Sequence, residues 1–258
     1  MKINVVFNRN IEGYEEVLSD VEELLIKNKV EFKSFDIDNL AFFGEISLVI
    51  GGDGTLLKAA RFYSGVNVPV LGINLGRLGF LAQAGSVREV VEAVINKKYF
   101  VEERMMLTAL DKLALNDFVI KGCDSSRTSK IYLEINGKDV CDYIADGLII
   151  STPTGSTAYG LSAGGPVLYP TTDVISIVPV CPHTLNARPI VVPAGEVVTV
   201  RTGDKLLSVS IDGAAATQCV EKISIKTAKH KALLAFLKEE QFYSVLRDKL
   251  HWGISETR

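Results

Sequence analysis

Residues 46–64 read ISLVIGGDGTLLKAARFYS, and this stretch decides the fold of the N-terminal part of the chain. Ile46 to Ile50 form an unbroken apolar run, as expected of a strand covered on both faces. Gly51-Gly52-Asp53-Gly54 follows at once, and residues 55–64 read as a helix opening at Thr55. Glycines let a chain turn sharply and let a ligand approach its amides. The start of a helix supplies unpaired N–H donors and a partial positive charge, which together suit a phosphate. The loop lacks the closing Gly-Lys-Ser/Thr of a P-loop and is not Gly-x-Gly-x-x-Gly. Gly51, Gly52, Gly54 and Thr55 are therefore candidate phosphate-loop residues. Asp53 is the informative one, since a carboxylate beside a phosphate repels it unless it has a task. It can hold Mg²⁺ against phosphates or take a proton from an attacking hydroxyl, and both tasks belong to phosphoryl transfer. Alternatively it only caps the helix. Lys58, one turn on, either reaches a phosphate or is a solvated surface lysine.

Outward from this loop, the first hundred residues alternate strand and helix. Residues 2–7 and 30–36 read as strands, as does 68–73. Tyr14, Val17, Leu18, Val21, Leu24 and Leu25 fall at helical spacing. Ser86 and Glu89 form a capping box ahead of Val87, Val90, Val91, Val94 and Ile95. Such alternation implies a parallel, doubly wound sheet over residues 1–100. Beyond residue 100 the pattern becomes period two: Ile131, Leu133 and Ile135; Val198 and Val200; Ile223 and Ile225. With turn pairs such as Asn136-Gly137 and Asp212-Gly213, this predicts a β-rich domain over 101–234. Residues 235–258 carry a last helix, on Phe242, Val245, Leu246 and Leu250, expected to pack back on the first domain. The fold class is α/β plus β.

The 258 residues, 47% hydrophobic and with net charge −3, describe a soluble globular protein with no basic surplus for nucleic acid. The apolar start stops at Asn8, too short for a signal peptide, and no run is long enough to cross a membrane. A cytoplasmic location is expected. Cys123, Cys141, Cys181 and Cys219 show no metal-binding spacing and are expected to be reduced thiols.

A second cluster runs from Asp146-Gly147 through Ser151-Thr152-Pro153-Thr154-Gly155-Ser156-Thr157-Ala158-Tyr159 to Ser162-Ala163-Gly164-Gly165-Pro166. Its hydroxyls are too many for a core and are expected to donate hydrogen bonds to a polar ligand. Tyr159 stacks on a base or packs in the core. Alternation puts Ile144 on the face of Asp146. Asn116-Asp117 interrupts the apolar run LALNDFVI, and is costly to bury unless paired. The pair can bind adenine edges or ribose hydroxyls, or mark a bulge or strand end. His183 and the Asp212-Gly213 turn suggest structural roles.

Taken in order, Gly51–Thr55, Asn116-Asp117, Asp146-Gly147, Ser151–Tyr159 with Ser162 and Ala163-Gly164-Gly165-Pro166, and Pro182-His183-Thr184-Leu185 with Arg188-Pro189 resemble the NAD kinases. The glycine loop alone is shared with diacylglycerol, sphingosine and phosphofructokinase relatives. The resemblance implies phosphorylation of the 2′-hydroxyl of the adenosine ribose of NAD, with ATP or polyphosphate and a divalent metal, Mg²⁺ by preference, without a fixed protein site for the metal. It implies a Rossmann-like N-terminal domain, a β-rich C-terminal domain, a cleft site, and a homodimer or homotetramer. Asp53 resembles the family's proton acceptor, beside Gly54. Asn116, Asp117, Asp146 and Ile144 resemble its contacts to adenosine. Ser156, Thr157, Ala158, Tyr159, Gly160, Leu161 and Ser162 resemble the rest of that pocket, and Arg127 a basic residue near the ligand. The chain departs from the family at Asp117, where glutamate is commoner, at Gly160, where serine is, and at Ala214, where glutamine is. A lipid kinase would want an apolar pocket instead of this hydroxyl-rich loop, and a sensor without turnover would have no use for Asp53.

Overall fold

The structure is a computed structural model that describes residues 1–75, 79–81, 85–123, 128–183, 186–203, 206–239 and 242–251, and of 215–218 the backbone only. The chain divides into two units, Met1–Glu103 with Ala232–Arg258, and Arg104–Lys231. The first unit opens with β1 (Lys2–Phe7), α1 (Tyr14–Lys27), β2 (Glu31–Asp36), β3 (Ile46–Ile50), α2 (Asp53–Ser64), β4 (Val70–Ile73), α3 (Val87–Ile95) and β5 (Phe100–Arg104). In the second follow β6 (Leu107–Ala109), β7 (Lys112–Ala114), β8 (Asp117–Gly122), β9 (Ser129–Ile135), β10 (Lys138–Ala145) and β11 (Gly147–Ser151). A 3-10 turn (Thr154–Thr157) and the short α4 (Tyr159–Ser162) lead to β12 (Val174–Val180), β13 (Ile190–Pro193), β14 (Val198–Thr202), β15 (Leu207–Ile211), β16 (Ala214–Val220) and β17 (Lys222–Thr227). The chain then returns to the first unit as β18 (Ala232–Phe236) and α5 (Phe242–Leu250).

The first unit is built on a sheet of order β2-β1-β3-β4-β18-β5, and the pairs β1–β2, β1–β3, β3–β4 and β4–β18 are parallel. Ile3, Val5, Leu48, Ile50, Leu71 and Ile73 pack against Val21 and Leu25 of α1 and Val90, Val91 and Val94 of α3. Each such fully buried aliphatic side chain contributes about 1.5–3 kcal/mol. All five residues of β3 are buried, so the strand delivers the glycine loop from the centre of the sheet. The capping box at Ser86 forms as expected, with Ser86 Oγ accepting from Glu89 N and Glu89 accepting from Ser86 N. The second helix begins at Asp53 rather than Thr55, because Gly52 takes the N-cap position and its carbonyl accepts from Thr55 N and Leu56 N.

The second unit holds two sheets, β10-β9-β14-β17-β6-β7 and β13-β12-β11-β8-β15-β16. The period-two residues Ile131, Leu133, Val198, Val200, Ile223 and Ile225 meet Phe118, Ile120, Leu148, Ile150, Ile175 and Ile177 in one core. Asn136 and Asp212 have φ of 51° and 48°, each followed by a left-handed glycine, and both pairs turn the chain between antiparallel neighbours. The other face of the second sheet carries Val119, Ile149, Val178 and Val180, with Ala163 packed on them. Cys123 is disulfide-bonded to Cys219, with Cα atoms 6.7 Å apart. This corrects the expectation of four reduced thiols. The two lie 96 residues apart in sequence, and only the strand order β8-β15-β16 brings them together.

Candidate functional site

The first group of site residues lies where β3 meets α2. Gly51 has φ 153°, and a Cβ there would sit 2.7 Å from Thr55 Oγ1, so this glycine serves the turn itself. Thr55 is buried and accepts from Asn8 Nδ2 at 3.2 Å. Gly52 and Gly54 differ: both are exposed, and a Cβ on either would meet nothing within 4 Å. Neither is crowded by packing, so the backbone at both is open to approach. The first turn of α2 presents the N–H groups that a helix leaves without intrahelical acceptors.

Between those open glycines stands Asp53. Its Oδ2 accepts from Phe80 N at 2.8 Å and its Oδ1 from Leu81 N at 3.2 Å. Gly79 backs directly onto it, since a Cβ at Gly79 would fall 1.8 Å from Asp53 Oδ1. Two amides and a missing side chain therefore set the orientation of the carboxylate. Nothing in the local sequence links residues 79–81 to Asp53, and sequence reasoning missed them. Lys58 is exposed and pairs with Asp38 at 2.5 Å, on the surface of the helix. Among the described residues no three His, Cys, Asp or Glu side chains gather in a way that would hold a metal ion.

The second group surrounds the start of β8. Asn116 and Asp117 stand at a strand end, since β8 begins at Asp117. The chain before it is gripped from both sides. Asp212 Oδ2 accepts from Leu115 N at 3.0 Å, and Asp212 Oδ1 accepts from Asn116 N at 2.8 Å and Asp117 N at 3.0 Å. On the other side, Thr152 Oγ1 donates to Leu115 O at 2.5 Å, and Thr152 N and Ser151 Oγ donate to Asn116 O. Gly155 closes against the same carbonyl, which would lie 2.3 Å from a Cβ at that position. Asp117 is buried, and burial, with the charge of Asp212 second, pushes its carboxyl up to about 7.

The hydroxyl-rich segment behaves otherwise than its composition suggests. Ser151, Thr152, Thr154 and Ser156 are all buried. Ser156 Oγ donates to Pro153 O at 2.7 Å and accepts from Leu168 N at 3.0 Å. Thr157 Oγ1 donates to Thr154 O, and the buried Arg104 donates to Thr154 Oγ1 at 3.4 Å. These hydroxyls hold the loop together, which corrects the expectation that so many cannot belong to a core: those of Ser151, Thr152, Ser156 and Thr157 have backbone partners and that of Thr154 has Arg104, and burial then costs little. What the loop turns outward is Tyr159, 39% exposed, with Lys121 Nζ 5.8 Å from its ring centroid. Gly160 is buried beneath it, 4.0 Å (as a would-be Cβ) from Ser151; Leu161 is half-buried and Ser162 ends the helix. Ala158 links the 3-10 turn to α4.

Asp146 stands apart from Asn116 and Asp117. In the register of β8 with β11, Asp117 faces Ser151 and Lys121 faces Gly147. Asp146 therefore lies about five residues along, or roughly 16 Å from Asp117. Ile144 is exposed near it, and its carbonyl accepts from His183 N at 2.8 Å, while Asp146 N donates to Val180 O. Arg127, Thr184 and Leu185 lie outside the described residues.

Two family models match the chain in succession. The ATP-NAD kinase N-terminal domain matches residues 8–99 and the ATP-NAD kinase C-terminal domain matches residues 115–236. The NAD kinase of Bacteroides fragilis is 42% identical over 240 residues, spanning 87% of this chain and 82% of that protein. The NAD kinase of Clostridium tetani is 35% identical over 255 residues, spanning 93% and 92%. Among solved structures, an NAD kinase from Archaeoglobus fulgidus in complex with ATP is similar with a TM-score of 0.81 at 27% identity, covering 97% of this chain and 99% of that one. Yeast NADH kinase complexed with NADH has a TM-score of 0.87 at 21% identity, covering 99% and 89%, a likeness of fold.

Proposed function

The chain belongs to the NAD kinase family, and from that premise we propose that it transfers the terminal phosphoryl group of ATP to the 2′-hydroxyl of the adenosine ribose of NAD, with Asp53 as proton acceptor. The observation that carries this is Asp53 itself, a carboxylate oriented by the amides of Phe80 and Leu81 between two glycines left open to a ligand. The ribose oxygen attacks the terminal phosphorus, its proton passes to Asp53, and the bond to the bridging oxygen breaks to release ADP and NADP. Gly52, Gly54 and the first turn of α2 receive phosphate oxygens through backbone N–H groups. The divalent cation implied by the resemblance enters on the phosphates of ATP as part of the substrate, with Asp53 as its candidate protein ligand.

Asn116 and Asp117 hold the adenosine, and Tyr159 offers its ring to the base. Asp146 lies roughly 16 Å along β11 from Asp117, and in this reading the contact that the resemblance assigns to it comes from another copy of the chain. The homodimer or homotetramer implied by the resemblance is thus part of this reading. No described helix is long and apolar enough to cross a membrane; the cytoplasmic location stays within the proposal.

The test is direct: incubate the protein with NAD, Mg²⁺ and either ATP or polyphosphate, and measure NADP. Formation with ATP is expected. No NADP with either donor would overturn the reading.

A further inference from the structure

Leu115 and Asn116 connect β7 to β8 and Asp117 opens β8, so the three lack a complete ladder of their own. Backbone N–H and C=O groups that are buried must find partners, and here each one can be followed. The N–H groups of Leu115, Asn116 and Asp117 all go to the Asp212 carboxylate, and Asp117 O accepts from Asp212 N at 3.0 Å. The two remaining carbonyls, of Leu115 and Asn116, are taken by Thr152 and Ser151. One residue, 95 positions along the chain from Asp117, thus satisfies four of six backbone groups. Three successive amides around one carboxylate form an anion-binding concavity, and Asp212 fills it from the β15–β16 turn.

We propose that Asp212 is a positioning residue for the acceptor nucleotide, holding the backbone of residues 115–117 so that the Asn116 and Asp117 side chains meet adenosine at a fixed angle. It rests on the reading that Asn116 and Asp117 bind NAD. Asp212 itself does not touch the reacting atoms. Its charge has a second effect. The Asp117 carboxyl, already lifted by burial, is lifted further by the neighbouring Asp212 carboxylate. In the strand register Asp117 stands opposite Ser151, which does not titrate, and Asp212 is the charged group that acts on it.

The experiment compares full-length protein with Asp212→Asn and Asp117→Asn, measuring KM for NAD and for ATP from pH 6 to 9. In Asp212→Asn the side-chain oxygen still accepts from two amides, but its NH₂ faces Leu115 N–H. The expected result is a KM for NAD raised about 10-fold, with KM for ATP within twofold. The pH at which the KM for NAD changes should also move below that of the unaltered protein. An unchanged KM and midpoint in Asp212→Asn, with a raised KM for NAD in Asp117→Asn, overturns the inference alone. An unchanged KM for NAD in Asp117→Asn overturns the adenosine reading and the inference with it. Should Asp212→Asn not fold, Asp212→Glu decides: it keeps the charge on a longer arm. A raised KM for NAD with the original midpoint supports the proposal, and an unaltered KM overturns it.

Discussion

Replacing Gly79 by alanine tests the catalytic half of the site without touching a candidate catalytic group. The new Cβ would lie 1.8 Å from Asp53 Oδ1, 2.5 Å from Cγ and 2.8 Å from Oδ2. Real Cβ contacts do not fall below 3.0 Å, so Oδ1 must move by at least 1.2 Å and the carboxylate must leave the amides of Phe80 and Leu81. Gly79 has no left-handed φ, so alanine is not strained there, and the obstructing atoms belong to a side chain that can swing towards solvent. The cost in stability is at most that of the two hydrogen bonds to a charged group, about 1.5–3 kcal/mol each before solvent replaces them. The cost in turnover is separate. A base misplaced by about 1 Å loses on the order of 100-fold in rate, or about 2.7 kcal/mol of transition-state stabilisation. The assay is NADP formation under saturating ATP and NAD, with thermal melting and NAD binding as controls. Gly79→Ala should lose kcat while keeping its affinity for NAD, and should add little to the loss in Asp53→Asn, because both act on one carboxylate. A folded Gly79→Ala protein with kcat within threefold of the original would refute the reasoning that this geometry aims Asp53.

Four further outcomes follow from the structure. The Asp117 carboxyl, held up at about 7 by burial and by Asp212, is protonated below that pH and then accepts fewer hydrogen bonds, so KM for NAD should fall as pH rises through about 7; the dependence should vanish in Asp117→Asn. Stability should show the opposite sign: folded Asp117 keeps a proton that the unfolded chain releases near the model-peptide value, so its contribution declines from about pH 4 to about pH 7 and is flat above, visible in urea titrations of the original protein against Asp117→Asn. Gly54→Ala, in an open helical position, should stabilise the fold by up to about 1 kcal/mol yet raise KM for ATP, because the methyl group occupies the approach to the backbone; an unchanged KM for ATP would remove Gly54 from the phosphate site. The Cys123–Cys219 bond closes a loop of 96 residues, so unreduced protein should titrate two thiols rather than four, and Cys219→Ser should lower stability by up to about 4–5 kcal/mol in denaturant melts.

The fold was legible wherever a local pattern implies its own partner. An apolar run ending in glycines, a capping box at Ser86 and alternation along 131–135 each state a local geometry, and the strands and helices appear there. The turn pairs Asn136-Gly137 and Asp212-Gly213 were legible for the same reason, as residues suited to positive φ. What depends on strand order was not. Ala232–Phe236 carries no mark saying which sheet it joins, and it pairs in parallel with β4, more than 150 residues before it. Nor could spacing bring Cys123 to Cys219, because β15 must first be laid between their strands.

The candidate site divides along the same line. The residues at issue were visible as chemical types out of place: an acid in a phosphate loop, a polar pair in an apolar run. Which group each one serves was invisible, and composition misled at one point. The hydroxyls of Ser151, Thr152 and Ser156 look like ligand donors when counted, yet each is bonded to buried backbone. The glycines show why a count cannot decide. Gly51 and Gly155 are small because protein atoms crowd them, and Gly79 because Asp53 does, whereas Gly52 and Gly54 face open space. Written as letters the five are identical. Only the first two are demanded by crowding, one secures the orientation of the acid, and the last two leave their backbone open, where the proposal places the phosphates of a substrate.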